Sequence, residues 1–258
     1  MKLWRKLKLE IALLFNDSLK ELPKFETESV DLIATDPPYG ISNKNKITRK
    51  ETTDINMDFG VWDHFTEEEF IEFTRQWFYE CMRILKKNGW MYIFFGNTWI
   101  WILQTSIRDN PQFDIIHRTT YTWCKSNPAP SYRKFNWRSS TEPALVFSKG
   151  KCRIPNFLDQ TRMKNYGMTS CRSNYGVSGH PTEKPISLME LFVETSSNKG
   201  EIVLDPFMGS GTTGMACLQL KRRFVGIESS PHWFSVAEDR LKRFQKDTEE
   251  SQGDGLLI

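Results

Sequence analysis

The sequence predicts an α/β fold built on a doubly wound, mostly parallel sheet. Short apolar runs typical of buried strands alternate along the chain with segments of helical periodicity. This alternation favours a parallel sheet, since each helix can serve as the crossover between two strands. Acidic residues follow several of the apolar runs directly, and ligands of such sheets bind beyond the carboxyl ends of the strands. The chain of 258 residues is long enough for one large domain.

The first two predicted strands are 11–15 and 30–35. The first is an apolar run that ends at Asn16-Asp17-Ser18, where a short helix begins, and the second leads directly into Asp36. Residues 40–63 form a long polar stretch that includes the cations Lys44, Lys46, Arg49 and Lys50. A loop this long inside a compact domain is usually functional or mobile, and we expect the same here.

A long amphipathic helix is predicted to begin at Thr66. Thr66 and Glu69 have the spacing of a capping box, and apolar residues recur at helical intervals as far as residue 85. The sequence Lys86-Lys87-Asn88-Gly89 is typical of a helix end, because it combines cations with residues that accept a left-handed conformation. A strand at 90–95 and a helix at 98–107 follow.

The second half of the chain begins with two strands, 113–124 and 142–147, on either side of the rigid segment Asn127-Pro128-Ala129-Pro130. Residues 148–179 have no sustained period, which predicts an insert within a single domain spanning 1–258. Helices at 185–195, 212–220 and 233–244 then alternate with strands at 202–204 and 224–227. Residues 246–258 are polar and are predicted to form a frayed tail.

Charge is distributed unevenly along the chain. Residues 125–172 contain ten Lys or Arg and two acidic residues, a net charge of +8, which leaves −5 for the rest of a chain whose total is +3. A basic block on a mildly acidic body favours a polyanionic partner. A solvated, irregular surface would have the same composition, so charge alone does not decide between them.

The composition argues against several classes of protein. The cysteines at 81, 124, 152, 171 and 217 are odd in number and show no CxxC spacing, which disfavours a disulfide framework or a zinc site. The four histidines lack metal-ligand spacing. The apolar runs are too short for a signal-peptide core or a membrane span. We therefore expect a cytoplasmic protein with no bound metal.

A glycine turn near the end of the chain predicts a nucleoside cofactor. Gly209-Ser210-Gly211-Thr212-Thr213-Gly214 matches GxGxxG between a predicted strand and a predicted helix. Glycines let the backbone approach a ligand, and the free N–H groups of a helix start attract an anion. Glu228 ends the next strand, 19 residues after Gly209, where a carboxylate can accept hydrogen bonds from ribose hydroxyls.

The same turn would suit a nicotinamide-dependent oxidoreductase. Two features favour a different reading: Asp205-Pro206 before the turn is not part of the dinucleotide fingerprint, and only one strand–helix unit follows the turn. A dinucleotide-binding domain would need more strands after it, unless the strand order is permuted. From the turn alone, this alternative stays open.

The tetrapeptide Asp36-Pro37-Pro38-Tyr39 at the tip of the second strand is a more specific signal. Two consecutive prolines fix the backbone and remove two N–H donors, which leaves a carboxylate, carbonyl oxygens and an aromatic face. This set can accept two hydrogen bonds from an exocyclic amine while a planar base stacks on the tyrosine. A rigid turn between a strand and a loop is the alternative explanation of the prolines.

Taken together, these motifs resemble the β-class amino methyltransferases that modify DNA, in which the tetrapeptide precedes the cofactor turn. The resemblance covers about residues 11–244, and four stretches carry it: 36–39, His180-Pro181-Thr182-Glu183-Lys184-Pro185, 205–214 and 225–228. It implies S-adenosylmethionine as the cofactor. It also implies a sheet of seven strands in which the last strand is antiparallel. The order of these strands along the chain is expected to be permuted.

The resemblance also implies roles for individual residues. Glu228 would bind the ribose hydroxyls and Asp17 would lie near the adenine of the cofactor, while Thr182 and Lys184 would lie near its methionine carboxylate. The residues that would wrap the methionine and ribose are Asp205, Phe207, Gly209, Ser210, Gly211, Thr212 and Thr213. The target base would be held by Asp36, by the carbonyl of Pro37 and by Tyr39, with Pro38 making the tetrapeptide rigid.

The expected macromolecular partner is DNA. Arg133, Lys134 and Arg138 are interleaved with aromatic residues, a pattern that suits a DNA surface, and the loop containing Lys44 and Arg49 is placed to close over a flipped base. The insert at 148–179 corresponds to the family's target-recognition region. A homodimer and a cognate restriction endonuclease stay open as further partners.

The sequence therefore predicts a site-specific DNA methyltransferase that acts on N6 of a flipped adenine. Within the family, an Asp-Pro-Pro-Tyr tetrapeptide favours adenine N6 and Ser-Pro-Pro-Tyr favours cytosine N4, so cytosine N4 is the alternative. A DNA-binding protein that has lost catalysis is a third possibility, against which the intact Asp36 and Glu228 argue.

The affinity for duplex DNA is expected to fall steeply as salt is raised, because each phosphate contact by a Lys or Arg releases counterions. Fluorescence anisotropy titrations between about 50 and 200 mM salt measure this slope. Replacing Arg133 or Lys134 by alanine should each reduce the slope by about one. A slope near zero for the wild-type protein would contradict the phosphate contacts.

Overall fold

The computed structural model describes residues 10–38, 65–128, 137–170 and 183–253, with side chains up to residue 247. Over these residues the chain forms one sheet, whose strands are β1 (Ile11–Phe15), β2 (Val30–Thr35), β3 (Leu85–Phe94), β4 (Ile115–Lys125), β5 (Thr141–Lys149), β6 (Tyr166–Thr169), β7 (Ile202–Asp205) and β8 (Arg223–Glu228). The α-helices are α1 (Ser18–Glu21), α2 (Glu67–Ile84), α3 (Ile100–Asp109), α4 (Ile186–Ser196), α5 (Thr212–Gln219) and α6 (Pro231–Gly253).

The strands lie in the order β1-β8-β7-β2-β3-β5-β4-β6. Every neighbouring pair is parallel except the two pairs that involve β5, which runs antiparallel to both β3 and β4. The predicted mostly parallel sheet with one antiparallel strand is thus confirmed. The antiparallel strand is β5 and not the last strand, because β4 and β5 pair directly and their connection needs no crossover helix.

The sheet has eight strands in the described residues, and the predicted number of seven is wrong. The additional strand is β6, which pairs with β4 at the edge and lies within the segment predicted to be an irregular insert. Gly167 in this strand reads as a loop residue in the sequence. In the fold it leaves room for Tyr121, since a Cβ there would lie 2.2 Å from the Tyr121 hydroxyl and the tyrosine would have to shift.

The strand order brings motifs from the beginning of the chain next to motifs from its end. The late strands β7 and β8 lie between the early strands β1 and β2. Phe15 at the end of β1 is in register with Glu228 at the end of β8, and Ile33 of β2 is in register with Leu204 of β7. The residues that follow these four strands therefore meet along one edge of the sheet.

The sheet has an apolar layer on each face, as expected for a doubly wound fold. On one face, α2 and α3 contribute Trp77, Phe78 and Ile102 to a buried cluster. On the other face, α4, α5 and α6 bury Phe192, Ala216 and Leu241, among others. Alternate residues of β2 enter opposite clusters, which explains why its sequence is apolar without alternation.

The predicted capping box at the start of α2 is present. The Thr66 side chain accepts a hydrogen bond from the Glu69 backbone N–H at 3.2 Å, and the Glu69 carboxylate accepts one from the Thr66 N–H at 2.8 Å. At the other end of the helix, Asn88 adopts the left-handed conformation, with φ of 67°. The chain is already extended from Leu85, so β3 begins five residues before its predicted start.

The last helix, α6, continues to Gly253, and the predicted frayed tail from residue 246 is wrong over 246–253. The physical reason is local: the residues between 245 and 252 include Gln, Lys and Glu, which are good helix formers, and the first helix breaker after them is Gly253. Across the described ranges, none of the helices is long and apolar enough to cross a membrane.

Replacing Gly214 by alanine is expected to destabilise the fold by about 1–3 kcal/mol. Alanine within a helix normally gains up to about 1 kcal/mol over glycine. Here, however, the new methyl group would lie 2.8 Å from the Phe224 ring and 3.0 Å from Leu241. Urea denaturation of the wild-type and variant proteins measures the difference. Phe224→Leu in the Gly214→Ala background should recover part of the loss, and a single variant as stable as the wild type would contradict this packing.

Candidate functional site

The edge formed by β1, β8, β7 and β2 carries four acidic residues that the sequence predicts to belong to the site. Asp205 and Glu228 end their strands, Asp36 follows β2 directly, and Asp17 follows β1 by two residues. Since these strands are neighbours and parallel, the predicted cofactor residues and the first residue of the tetrapeptide lie along one edge.

Asp205 is buried at this edge, with 3% of its surface exposed. One carboxylate oxygen accepts hydrogen bonds from the Thr35 hydroxyl at 2.8 Å and the Phe207 N–H at 3.1 Å, and the other accepts one from the Thr213 hydroxyl at 2.6 Å. Burial raises the pKa of Asp205 to about 6, although these three hydrogen bonds oppose the shift. Asp205 thus joins β2, β7 and the glycine turn.

The glycine turn has the conformation that its sequence predicted. Gly209 and Gly211 have φ of 50° and 81°, in the region that favours glycine. The Glu228 carboxylate accepts hydrogen bonds from the Gly209 N–H at 3.0 Å and the Ser230 N–H at 2.7 Å. Burial raises the pKa of Glu228, and the backbone hydrogen bonds partly offset this. The turn and the end of β8 therefore form one unit.

The turn is anchored from behind by α6. The Arg240 guanidinium donates to the Ser210 carbonyl at 3.1 Å and forms an ion pair with Glu183 at 2.7 Å. Glu183 also accepts a hydrogen bond from the Thr212 hydroxyl at 3.3 Å. The segment that begins at Glu183 is thereby attached to the start of α5.

Asp17 and Ser18 approach the same turn from β1. Asp17 caps α1 by accepting a hydrogen bond from the Leu19 N–H at 2.9 Å. The preceding Asn16 N–H donates to the Glu228 carbonyl at 3.1 Å, and the Ser18 hydroxyl donates to the Pro206 carbonyl. Asp17 is thus placed beside the end of β8, next to Glu228.

Asp36 forms an ion pair with Lys184, whose side chain is 6% exposed. The Lys184 ammonium also lies 3.2 Å from the Glu142 carboxylate and 4.8 Å from the centre of the Phe94 ring. Glu142 in turn pairs with Lys125. Two cations and two carboxylates therefore alternate from β4 to the tip of β2.

Electrostatics keep this row of side chains charged. Burial alone would lower the pKa of Lys184, but the carboxylates of Asp36 and Glu142 more than offset it and raise that pKa. Burial would likewise raise the pKa of Glu142, but Lys184 and Lys125 bring it below its ordinary value. Each partner thus stabilises the charged form of the next.

Phe207 contributes to the core below the turn. Its ring packs edge-on against Trp77, with 5.6 Å between ring centres, and contacts Phe73 at 5.8 Å. The ring thereby fixes the backbone that leads from Asp205 into the turn. Its predicted role in wrapping a cofactor remains a prediction.

Several predicted site residues lie outside the described residues: Tyr39, Lys44, Arg49, Arg133, Lys134 and Thr182. Of the predicted DNA-binding residues, Arg138 is described; it is exposed and donates to the Pro128 carbonyl. Pro37 is buried and Pro38 is half-buried. Over the described ranges, no group of three or more His, Cys, Asp or Glu is placed to hold a metal ion.

Sequence reasoning assigned no role to four residues of this site: Lys125, Glu142, Glu183 and Arg240. Glu183 stands in the stretch 180–185, which carries the family resemblance, and that was the available signal for it. Arg240 lies on an amphipathic helix among other basic residues, and nothing in its local sequence distinguishes it.

The chain matches a family model described as DNA methylase, of the N6 and N4 methyltransferases, over residues 30–239. It is 32% identical over 247 residues to the Type II methyltransferase M2.DpnII of Streptococcus pneumoniae, with 91% of each chain covered. It is 30% identical over 251 residues to the Type II methyltransferase M.HpaI of Haemophilus parainfluenzae, covering 90% of this chain and 74% of the relative.

Solved structures share the fold. The structure of the M1.HpyAVI–SAM complex has a TM-score of 0.68 at 26% identity, covering 90% of this chain and 98% of the other. The PvuII DNA methyltransferase, described as cytosine-N4-specific, also has a TM-score of 0.68, at 20% identity over 89% of this chain and 86% of the other. At that identity the likeness shows the fold alone.

The burial of Asp205 predicts a pH-dependent stability. Because its pKa rises from 3.8 to about 6 on folding, the folded state binds the proton more tightly. The free energy of unfolding should therefore fall as pH rises from about 4 to about 6, by an amount on the order of 3 kcal/mol. Denaturation of the wild-type and Asp205→Asn proteins across this pH range measures the change in unfolding free energy. The variant is the reference, because the amide of asparagine does not titrate.

The difference in unfolding free energy, wild type minus Asp205→Asn, should decline across that window, while the other titrating groups cancel. If the two stability curves run parallel from pH 4 to pH 7, Asp205 does not carry the shift.

Proposed function

The chain belongs to the DNA methylase family of N6 and N4 methyltransferases, and from this membership we propose that it transfers a methyl group from S-adenosylmethionine to N6 of adenine in DNA. One hydrogen bond in the structure connects this proposal to particular residues. Thr35, the residue before Asp36, donates a hydrogen bond to Asp205 at 2.8 Å. The site proposed for the target amine and the site proposed for the cofactor are therefore one hydrogen bond apart.

Membership in this family sets aside the nicotinamide-dependent oxidoreductase. It also accounts for the position of the glycine turn late in the chain. Because β7 and β8 lie between β1 and β2, the strands that a cofactor site requires come from both ends of the sequence. The turn therefore needs only one strand after it.

The residues of this edge suit the nucleoside part of S-adenosylmethionine. The Glu228 carboxylate accepts two backbone hydrogen bonds, and an ionised carboxylate has about four acceptor positions, so it can also accept from two ribose hydroxyls. We assign Asp17, beside it, to the adenine. Asp205, Phe207 and the turn from Gly209 to Thr213 would surround the rest, and Thr182 would lie near the methionine carboxylate.

S-adenosylmethionine, when bound, supplies a methyl group on a positively charged sulfur. The chain's own residues act on the amine that receives it. An exocyclic amine is a poor nucleophile because its lone pair is conjugated with the ring. Asp36 and the carbonyl of Pro37 would accept hydrogen bonds from its two N–H groups, which favours a pyramidal nitrogen with an available lone pair. Once the nitrogen has taken the methyl group, it would release one of its protons to solvent. Positioning and electrostatics of this kind can supply most of the barrier reduction.

The target base must leave the duplex to reach this edge, which costs a few kcal/mol. Stacking on Tyr39 would return about 1–3 kcal/mol of that cost. The basic residues Arg133, Lys134 and Arg138 would contact the phosphates, and the loop with Lys44 and Arg49 would close over the base. The segment 148–179 would read the target sequence, with a second copy of the chain and a companion endonuclease open as partners.

The choice of adenine N6 over cytosine N4 depends on the tetrapeptide. The chain has an acidic residue at position 36, the form that the family resemblance associates with adenine. The two amines present similar geometry, and the fold is shared with a protein described as cytosine-N4-specific. Cytosine N4 is therefore the second candidate, and mass spectrometry of nucleosides from methylated DNA separates the two products.

Asp36→Ala is expected to abolish methyl transfer while S-adenosylmethionine binding persists, because the variant loses an acceptor for the amine and leaves Asp205 and Glu228 in place. Transfer of labelled methyl groups to DNA measures the rate, and isothermal titration calorimetry measures cofactor affinity.

Asp109→Ala is the matched control, since Asp109 is an exposed carboxylate at the end of α3 that pairs with Arg108. It should retain the wild-type rate. A wild-type rate in Asp36→Ala would show that this mechanism is wrong.

A further inference from the structure

Lys184 contacts Asp36, one of the residues assigned to the target base. Its ammonium contacts the Asp36 carboxylate and lies 3.2 Å from the Glu142 carboxylate. The Asp36 partner is 148 positions away in the sequence, and Glu142 comes from the antiparallel strand β5. Two elements that are distant in sequence thus converge on one buried cation.

A buried cation must be paired, because transferring an isolated charge out of water is costly. Lys184 satisfies this requirement with two carboxylates, and Glu142 shares its own charge with Lys125. Among the charged groups of this row, Lys184 pairs with Asp36 and Glu142, Glu142 pairs with Lys125, and the charge of Asp36 helps to raise the pKa of Asp205. Lys184 therefore holds Asp36 in place, and Glu142 holds Lys184 in place.

The neighbouring residue Glu183 faces the other half of the site. Its carboxylate pairs with Arg240 and accepts a hydrogen bond from Thr212 at the start of α5. Two consecutive residues thus bind opposite halves: Glu183 binds the glycine turn, and Lys184 binds the tip of β2. Pro185 follows as the N-cap of α4, and its ring makes this short connection rigid.

We propose that Lys184 is a positioning residue, which holds the Asp36 carboxylate in place as a hydrogen-bond acceptor for the target amine, with Glu142 holding Lys184 in turn. This inference rests on the proposed function. It differs from the role that the family resemblance implies, in which Lys184 lies near the methionine carboxylate of the cofactor. The consequence is that Lys184 affects the rate of methyl transfer more than the affinity for the cofactor.

The test compares Lys184→Met with the wild type in three measurements: cofactor affinity by calorimetry, the single-turnover rate at saturating S-adenosylmethionine, and the pH dependence of that rate. Cofactor affinity should stay within about twofold, while the rate falls about 100-fold, the cost of a misplaced catalytic group. The acidic limb of the rate profile should move to higher pH, because a carboxylate that loses a contacting cation is protonated more easily. Glu142→Gln should change the rate and the profile in the same direction by less.

Lys149→Met is the matched control. Lys149 is also a buried lysine, which donates to the Met82 and Leu85 carbonyls and pairs with Glu28, away from the site. Its replacement should lower stability without moving the pH profile. If Lys184→Met does not fold, Glu142→Gln alone decides, since an unchanged profile in that variant contradicts the proposal.

The proposal is overturned if Lys184→Met weakens cofactor binding tenfold or more and keeps the wild-type rate at saturating cofactor. That result would assign Lys184 to the cofactor. Failure of the proposed function is seen separately, as the absence of methyl transfer to DNA by the wild-type protein.

Discussion

The hydrogen bonds of the buried Asp205 carboxylate hold the two halves of the candidate site together. Its three donors come from β2, from the residue after Pro206 and from the start of α5. A buried carboxylate needs such partners, because its desolvation is otherwise costly. The same contacts that satisfy this charge also set the position of the glycine turn relative to the tip of β2. Fold stability and site geometry therefore depend on one side chain.

Much of this arrangement could be predicted from local sequence. The apolar runs 30–35 and 202–204 identified strands, and the acidic residue after each identified the functional edge, because both signals arise within a few residues. The capping box at Thr66 and the glycine turn are local for the same reason. Such features depend on backbone conformation and nearest neighbours, which a single sequence records.

Other features could not be predicted, because they depend on residues far apart in the chain. The ion pair between Lys184 and Asp36 exists only after β2, β5 and the segment before α4 have packed together. The strand β6 was missed because Gly167 reads as a loop residue, whereas in the fold it accommodates Tyr121. The end of α6 differs from the prediction because a polar composition is typical both of disorder and of an exposed helix, and the residues here include good helix formers.

The position of β6 at the edge of the sheet keeps its exposed side chains away from the candidate site. This strand pairs only with β4 among the described strands, and its Tyr166 and Met168 side chains are 55% and 71% exposed. Substitutions or insertions there can alter the outer surface without shifting the register of β2, β7 and β8, which lie on the other side of β3. A terminal strand can therefore carry different exposed side chains while the acidic residues at the centre of the sheet keep their positions.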